Sequence, residues 1–177
     1  MMLSDIDILK LIKRKKLIII PPPKEKDISG THIELHLSNR ILKYKNTTAD
    51  LKDDSTFTFE EISLNQSGYK LKPGEFILGS TIEKVKIPNG YFGFIETKGN
   101  IGRAGIQTHN TDGHIDPGFS GNLTLEIKNN SNRSIKIYPR IAFVDLYIFK
   151  LSSKCSHPYR GKYQNQKDPT VYKQDML

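Results

Sequence analysis

Glycines and charged side chains gather in the middle of this 177-residue chain, and together they could bind phosphate. Six of the 13 glycines lie between residues 95 and 129. Charged residues stand among them: Lys98, Arg103, Asp112, Asp116 and Glu126. Glycine lets backbone amides approach phosphate oxygens, and Lys or Arg supplies the opposing charge. Composition alone leaves two interpretations open, a phosphate site or two strands joined by a loop that turns at Asp-Pro-Gly.

Alternating apolar and polar residues predict the strands that position this segment. In residues 122–129, Leu125 and Ile127 fall on one face, while Thr124 and Glu126 fall on the other. We interpret residues 73–90 as two strands between turns. The other predicted strands are residues 31–37, 57–59, 91–97, 134–139 and 140–151. Many short strands with closely spaced turns favour a mostly β fold, either a barrel or a sandwich.

The two ends of the chain differ from this β pattern. Ser4 is a suitable N-cap for one short amphipathic helix that ends near the basic run at 13–16. Residues 1–150 are predicted to form one domain, and residues 151–177 a tail that belongs to it. The tail is polar and rich in tyrosine and lysine. It is therefore either a frayed end or a lid that orders over a ligand.

Composition restricts the possible partners and compartment. The net charge is +8, but the lysines are dispersed, which is more typical of a solvated surface than of a nucleic-acid site. No apolar run approaches the roughly 20 residues of a membrane-spanning helix, and acids among the first residues argue against a secretory signal. A single cysteine, Cys155, fits a reducing compartment. We therefore expect a cytoplasmic protein that binds neither membrane nor nucleic acid.

The five histidines do not have metal-ligand spacing. His32 and His36 lie four residues apart, but on a predicted strand rather than on a helix. We interpret the histidines as structural or surface residues.

The order of motifs resembles the dCTP deaminase branch of the trimeric dUTPase superfamily. That branch carries Arg-Ser-Ser-x-x-Arg-x-Gly, then Ile-Asp-Pro-Gly-aromatic-x-Gly, then a strand ending in Leu-Glu. Here residues 98–105 read Lys-Gly-Asn-Ile-Gly-Arg-Ala-Gly, residues 115–121 read Ile-Asp-Pro-Gly-Phe-Ser-Gly, and Leu125-Glu126 follow. The resemblance spans nearly the whole chain. It includes LKPGEFILGSTIEKVKIPNG, similar to the mid-chain hairpin, and THIELHL, in which Glu34 stands where Asp is usual.

The resemblance implies a distorted dUTPase-like β-barrel or jelly roll with a short N-terminal helix and a C-terminal lid. It also implies roles for individual residues. Glu126 matches the general acid/base, and Arg103 the second active-site arginine. Lys98, with Gly99 and Asn100, stands where the first arginine lies at the triphosphate. The remaining substrate-binding residues implied are Asp116 beside sugar and base, the backbone of Thr124 and Leu125 at the pyrimidine, and Tyr159, Lys162 and Gln166 from the tail.

The activity implied is deamination of dCTP to dUTP and ammonia, with onward diphosphate release to dUMP as a further step. Zinc deaminases use His and Cys ligands in an H-x-E…P-C-x-x-C pattern, which this chain lacks. The resemblance therefore implies chemistry without zinc and no protein metal ligand. Mg²⁺ accompanies the triphosphate, and the sites lie between the subunits of a homotrimer.

The chain departs from the family at the site itself. Lys98-Gly99-Asn100 replaces Arg-Ser-Ser, which exchanges a bidentate guanidinium for a point charge and removes a hydroxyl. Asp112 adds an acid where a small apolar residue is usual. Two alternatives to dCTP deamination therefore remain: a dUTPase only, or a catalytically altered trimeric paralogue that binds nucleotide.

Overall fold

The computed structural model describes residues 1–45, 48–110 and 112–174. Most of its regular structure is β, with helices α1 (Asp5–Lys13) and α2 (Gly99–Arg103). The strands are β1 (Ile18–Ile20), β2 (Ile28–Ser29), β3 (His32–His36), β4 (Arg40–Tyr44), β5 (Phe59–Ser63), β6 (Tyr69–Leu71), β7 (Phe76–Lys86), β8 (Tyr91–Thr97), β9 (Ile106–Gln107), β10 (His114–Ile115), β11 (Ser120–Asn129), β12 (Ile135–Ile137) and β13 (Ala142–Lys150). The mostly β fold predicted from the sequence is confirmed.

Helix α1 forms where the sequence predicts it. Acids occupy its first turn and lysines its last, which complements the helix dipole. Its apolar stripe buries Ile8 and Leu11. Ser4 precedes the helix in an extended conformation, but its side chain makes no capping hydrogen bond. Packing of the apolar stripe therefore contributes more to this helix than capping does.

Two antiparallel sheets surround one hydrophobic core. The first has the order β5-β4-β7-β11-β9, with β1 also pairing with β7, and the second has the order β10-β8-β13-β3-β2. In the parts of the chain that are described, neither sheet closes on itself. Leu35 of β3, Leu125 and Ile127 of β11 and Leu146 of β13 are completely buried in the shared core. The alternation predicted for residues 122–129 is confirmed by this burial.

Residues 76–86 form one long strand, so the prediction of two strands between turns at residues 73–90 is wrong. Gly79 stands in the middle of β7 because neighbouring side chains approach it closely: a Cβ there would lie 2.7 Å from Cδ1 of Ile127. The glycine marks tight packing rather than a turn. β7 instead changes partners along its length, pairing with β4 at Leu78 and with β1 at Lys84–Lys86.

The C-terminal segment runs along the first sheet without forming a helix or strand in residues 151–174. Backbone amides attach it at several points. Tyr159 donates to the Pro117 carbonyl (2.8 Å) and Asn165 to the Ser120 carbonyl (2.6 Å). Thr170 donates to Oγ1 of Thr124 (3.2 Å). None of the helices in the described ranges is long and apolar enough to cross a membrane.

Candidate active site

Glu126 lines a cavity of about 450 Å³. It projects from β11 on the face opposite Leu125 and Ile127, as the alternation requires. Its side chain is half-buried, and its Oε2 accepts a hydrogen bond from the backbone amide of Asn110 (2.8 Å). A backbone donor therefore fixes one oxygen of the carboxylate while the side chain lines the cavity.

Three parts of the chain build the cavity walls. The loop before β11 and the edge of that strand form one wall, and β4 and β7 supply a second that is largely aromatic. The C-terminal segment forms the third wall. Residues predicted from the sequence that line the cavity are Asp116, Thr124, Glu126, Tyr159 and Gln166. Leu125 is completely buried in the core beneath it.

The edge of β11 that faces the cavity lacks a strand partner along part of its length. β9 pairs with β11 only at Lys128 and Asn129, while β7 occupies the opposite edge. At the other end of this edge, Asn122 exchanges hydrogen bonds with Gln166 of the C-terminal segment. Between these points, the described residues add no further strand. Backbone groups around Thr124 are therefore positioned beside the cavity, as an edge strand presents them.

Gln166 connects the C-terminal segment to β11 by two hydrogen bonds. Its carbonyl accepts from the Asn122 amide (3.1 Å), and its Nε2 donates to the Asn122 carbonyl (2.7 Å). Within the described residues its Oε1 is buried without a hydrogen-bond partner. A buried acceptor of this kind is suited to a donor from a ligand, because leaving it unpaired is costly.

Asp112, His114 and Asp116 form a charged row along the cavity. Nδ1 of His114 lies 3.1 Å from Oδ1 of Asp112, and its Nε2 lies 3.1 Å from Oδ1 of Asp116. Burial disfavours the charged ring, but the hydrogen bonds to Asp116 and Asp112 outweigh it and raise the pKa of His114. The carboxylate of Asp112 thus lies close to the cavity, where the sequence placed a possible additional negative charge.

Aromatic side chains line the cavity that sequence reasoning did not single out. They are Tyr44, Phe76, Tyr163 and Tyr172. Tyr44 stacks parallel to Phe76, and its hydroxyl accepts a hydrogen bond from the Tyr172 amide at 3.5 Å. Burial raises the pKa of Tyr44, and the charge of Glu126 acts in the same direction. The only sequence feature that pointed to these aromatic residues was the abundance of tyrosine in the C-terminal tail.

The basic residues predicted for the phosphates lie outside this cavity lining. Gly99, Asn100 and Arg103 are exposed on α2. Lys98, just before α2, forms an ion pair with Glu34 of β3. Lys162 is exposed, and its Nζ lies over the rings of Tyr163 and Tyr172 (5.4 and 5.5 Å).

Lys98 also borders a small group of potential metal ligands, His32, Glu34 and Asp145. Burial raises the pKa of Asp145, and the nearby charge of Glu34 adds to this, while His32 and Lys98 oppose it. Because the ammonium of Lys98 already pairs with Glu34, the group has a cation of its own.

Comparison with known proteins identifies the family. Residues 2–151 match a family model described as dCTP deaminase-like. The protein named "dCTP deaminase, dUMP-forming" from Dictyoglomus thermophilum is 38% identical over 181 residues, covering 97% of this chain and 93% of that protein. The protein of the same name from Nocardia farcinica is 38% identical over 179 residues, covering 96% and 89%.

Solved structures share the fold at low sequence identity. The 2'-deoxycytidine 5'-triphosphate deaminase from Agrobacterium tumefaciens superposes with a TM-score of 0.67 at 19% identity, over 83% of this chain and 47% of that longer one. A dUTPase from phage φ11 of S. aureus, whose structure contains a structural Mg(II) ion, gives 0.54 at 15% identity over 82% and 97%. The predicted dUTPase-like architecture is therefore confirmed, and the chain belongs to the dCTP deaminase-like family.

Proposed function

We propose that this protein hydrolyses dCTP to dUTP and ammonia, then hydrolyses dUTP to dUMP and diphosphate. The observation that carries the proposal is the placement of Glu126, half-buried in a nucleoside-sized cavity with one carboxylate oxygen held by the Asn110 amide. Relatives at 38% identity that are named dUMP-forming dCTP deaminases support the choice of substrate and of the second step.

Glu126 supplies the proton transfers that deamination requires. Its carboxylate accepts a proton from the water that attacks the ring carbon bearing the amine. It gives this proton to the ring nitrogen, then takes the proton of the newly added hydroxyl and gives it to the departing amine, so that ammonia leaves and a carbonyl forms. The single cysteine and the missing H-x-E…P-C-x-x-C pattern support a reaction without zinc.

The edge of β11 reads the pyrimidine. Backbone donors and acceptors near Thr124 and Leu125 face the cavity where β11 has no strand partner in the described chain, and they suit the hydrogen-bonding edge of a base. Asp116 borders the sugar. The C-terminal segment acts as the lid, with Tyr159 and Gln166 lining the cavity. Lys162, whose Nζ lies over the rings of Tyr163 and Tyr172, turns toward the phosphates when nucleotide binds.

The triphosphate requires positive charge that this cavity lacks. The charged side chains that line it within the described chain are carboxylates and His114. Arg103 and the Lys98–Asn100 segment lie elsewhere on the same chain, so a second copy supplies them, in a homotrimer with sites between subunits. Arg103 is the better-placed cation of the two because Lys98 is paired with Glu34.

Mg²⁺ accompanies the triphosphate, held mainly by phosphate oxygens and water. Within the described residues, the carboxylates of the cavity lining do not gather into a group that could hold an ion by themselves. The phosphates and water would therefore supply its ligands. When bound, the ion neutralises phosphate charge.

The test is incubation with dCTP and Mg²⁺ followed by chromatography of the nucleotides and an ammonia assay. We expect dUMP, diphosphate and ammonia, and a loss of about 10²–10⁴-fold in turnover for Glu126→Gln. Glu60→Gln, an exposed acid on β5, is the matched control and should retain activity. Intact dCTP at high enzyme concentration would exclude the proposal.

Two features of the site favour testing dUTP hydrolysis and nucleotide binding alongside dCTP deamination. Gly99 has no hydroxyl where the family has serine, and Asp112 adds a charge beside the cavity. Diphosphate release from dUTP with dCTP untouched would identify a dUTPase only. Tight nucleotide binding without turnover, measured by calorimetry, would identify an altered paralogue.

A further inference from the structure

The row formed by Asp112, His114 and Asp116 lies at the short strand β10 and the residues on either side of it. β10 pairs with β8, with His114 opposite Phe94 and Ile115 opposite Gly93. The intervening residues Gly113 and Ile115 are buried. At Gly113 a Cβ would lie 2.6 Å from the Ile95 carbonyl oxygen, so only glycine lets the chain lie this close to β8. The side chains of Asp112, His114 and Asp116 also line the cavity but remain 68%, 52% and 44% exposed, so they form its solvent-facing rim.

The geometry of His114 favours the charged ring. Its two nitrogens each lie 3.1 Å from a carboxylate oxygen, one of Asp112 and one of Asp116. Ionised carboxylates are acceptors only, and a neutral imidazole has one N–H, so it can donate to just one of them. The imidazolium has two N–H groups and satisfies both, which links the two carboxylates through one ring.

His114 is also the cation of an acidic surface. Glu126 of β11 adds a third carboxylate to the cavity lining, and no Lys or Arg belongs to that lining within the described chain. The other titratable groups that face the cavity are Tyr44 from β4 and three tyrosines from the C-terminal segment, Tyr159, Tyr163 and Tyr172. The protonated ring therefore sets one positive charge against three negative ones.

We propose that His114 is a positioning residue that, in its protonated form, fixes the carboxylate of Asp116 for the sugar and reduces the negative potential that a nucleotide meets. The inference rests on the proposed function and deepens it. Deprotonation removes one of the two hydrogen bonds and the balancing charge, so Asp112 and Asp116 repel each other. Nucleotide binding therefore weakens as pH rises.

The raised pKa of His114 supports the same account. The hydrogen bonds to Asp116 and Asp112 outweigh the effect of burial, so the ring keeps its proton at a higher pH than an ordinary histidine. Asp112 thereby gains a role as the second anchor of the ring. Asp112→Asn should lower the pKa of His114 and move the loss of affinity to lower pH.

The test measures binding of an α,β-imido analogue of dUTP, which neither deaminates nor releases diphosphate, from pH 6 to 8.5. For the unmodified protein we expect Kd to rise by about fivefold across the range, equivalent to losing one charged contact. His114→Gln should weaken binding at pH 6 and flatten the profile relative to the unmodified protein. NMR of the ring signals should give a raised pKa for His114 that falls in Asp112→Asn.

His157→Gln is the matched control, because His157 is exposed in the tail outside the cavity lining. Ionisation of the analogue affects all variants equally, so the difference between profiles reports on His114. Identical pH profiles for the unmodified protein and His114→Gln would overturn the inference and leave the proposed function standing. Failure of both dCTP and the analogue to bind at any pH would overturn both.

Discussion

The cavity around Glu126 and the surface around α2 carry opposite charge. Three carboxylates and His114 line the cavity, whereas Lys98 and Arg103 lie at α2 outside that lining. A nucleoside triphosphate needs both regions, since proton transfer at the base requires a carboxylate and the phosphates require cations. Under the proposed function, one chain therefore carries both kinds of group but keeps them in separate regions.

The two cations of the α2 region also differ from each other. Lys98 is half-buried in an ion pair with Glu34, while Arg103 is exposed. We therefore expect Arg103 to bind the phosphates of the substrate and Lys98 to stabilise the folded chain. Single substitutions at the two positions can separate these roles.

Arg103→Ala should have the larger effect on activity. Loss of charge-assisted hydrogen bonds to phosphate costs about 1.5–3 kcal/mol, so we expect kcat/KM for dCTP to fall by about 10–100-fold with the melting temperature unchanged. Steady-state kinetics and a thermal melt provide the measurement. Arg133→Ala, an exposed arginine of the loop after β11, is the control. Unchanged kinetics in Arg103→Ala would end the assignment of Arg103 to the phosphates.

Lys98→Met should act on stability more than on activity. The change leaves Glu34 beside Asp145 without its cation, and we expect a loss of about 1–2 kcal/mol in the free energy of unfolding. Denaturant unfolding measures it, with Lys70→Met on β6 as an exposed control and Lys98→Arg as the charge-conserving rescue. A normal stability combined with a large rise in KM would show instead that Lys98 serves the phosphates.

The sequence predicted the strands whose two faces meet different environments. β3 and β11 alternate buried with partly exposed residues, as their sequence pattern predicts, and the sequence places Glu126 correctly on the polar face. The same reasoning was wrong for residues 73–90, where β7 is one continuous strand and Gly79 packs closely against Ile127. The alternation of residue types is a property of one strand. The packing of a glycine against a neighbouring strand depends on the tertiary structure and cannot be predicted from that pattern.

The candidate site was predictable only in part for the same reason. Motif order indicated Asp116, Glu126 and the tail residues Tyr159 and Gln166, all of which line the cavity. The aromatic wall was not predictable, because Tyr44 meets the C-terminal segment only through folding. The histidines were interpreted as structural or surface residues, and His114 is exposed. The contacts of its ring with Asp112 and Asp116 depend on the folded conformation of the chain around β10, which the sequence did not predict.

The central claim is that Glu126 of one copy and Arg103 of another form a single site. The most direct measurement is dCTP turnover by the Glu126→Gln and Arg103→Ala variants, each alone and after co-expression in one cell. Mixed trimers contain some sites in which both residues are intact, so we predict activity well above that of either variant alone. Activity no greater than the average of the two separate variants, in oligomers shown by mass spectrometry to contain both, would contradict the claim.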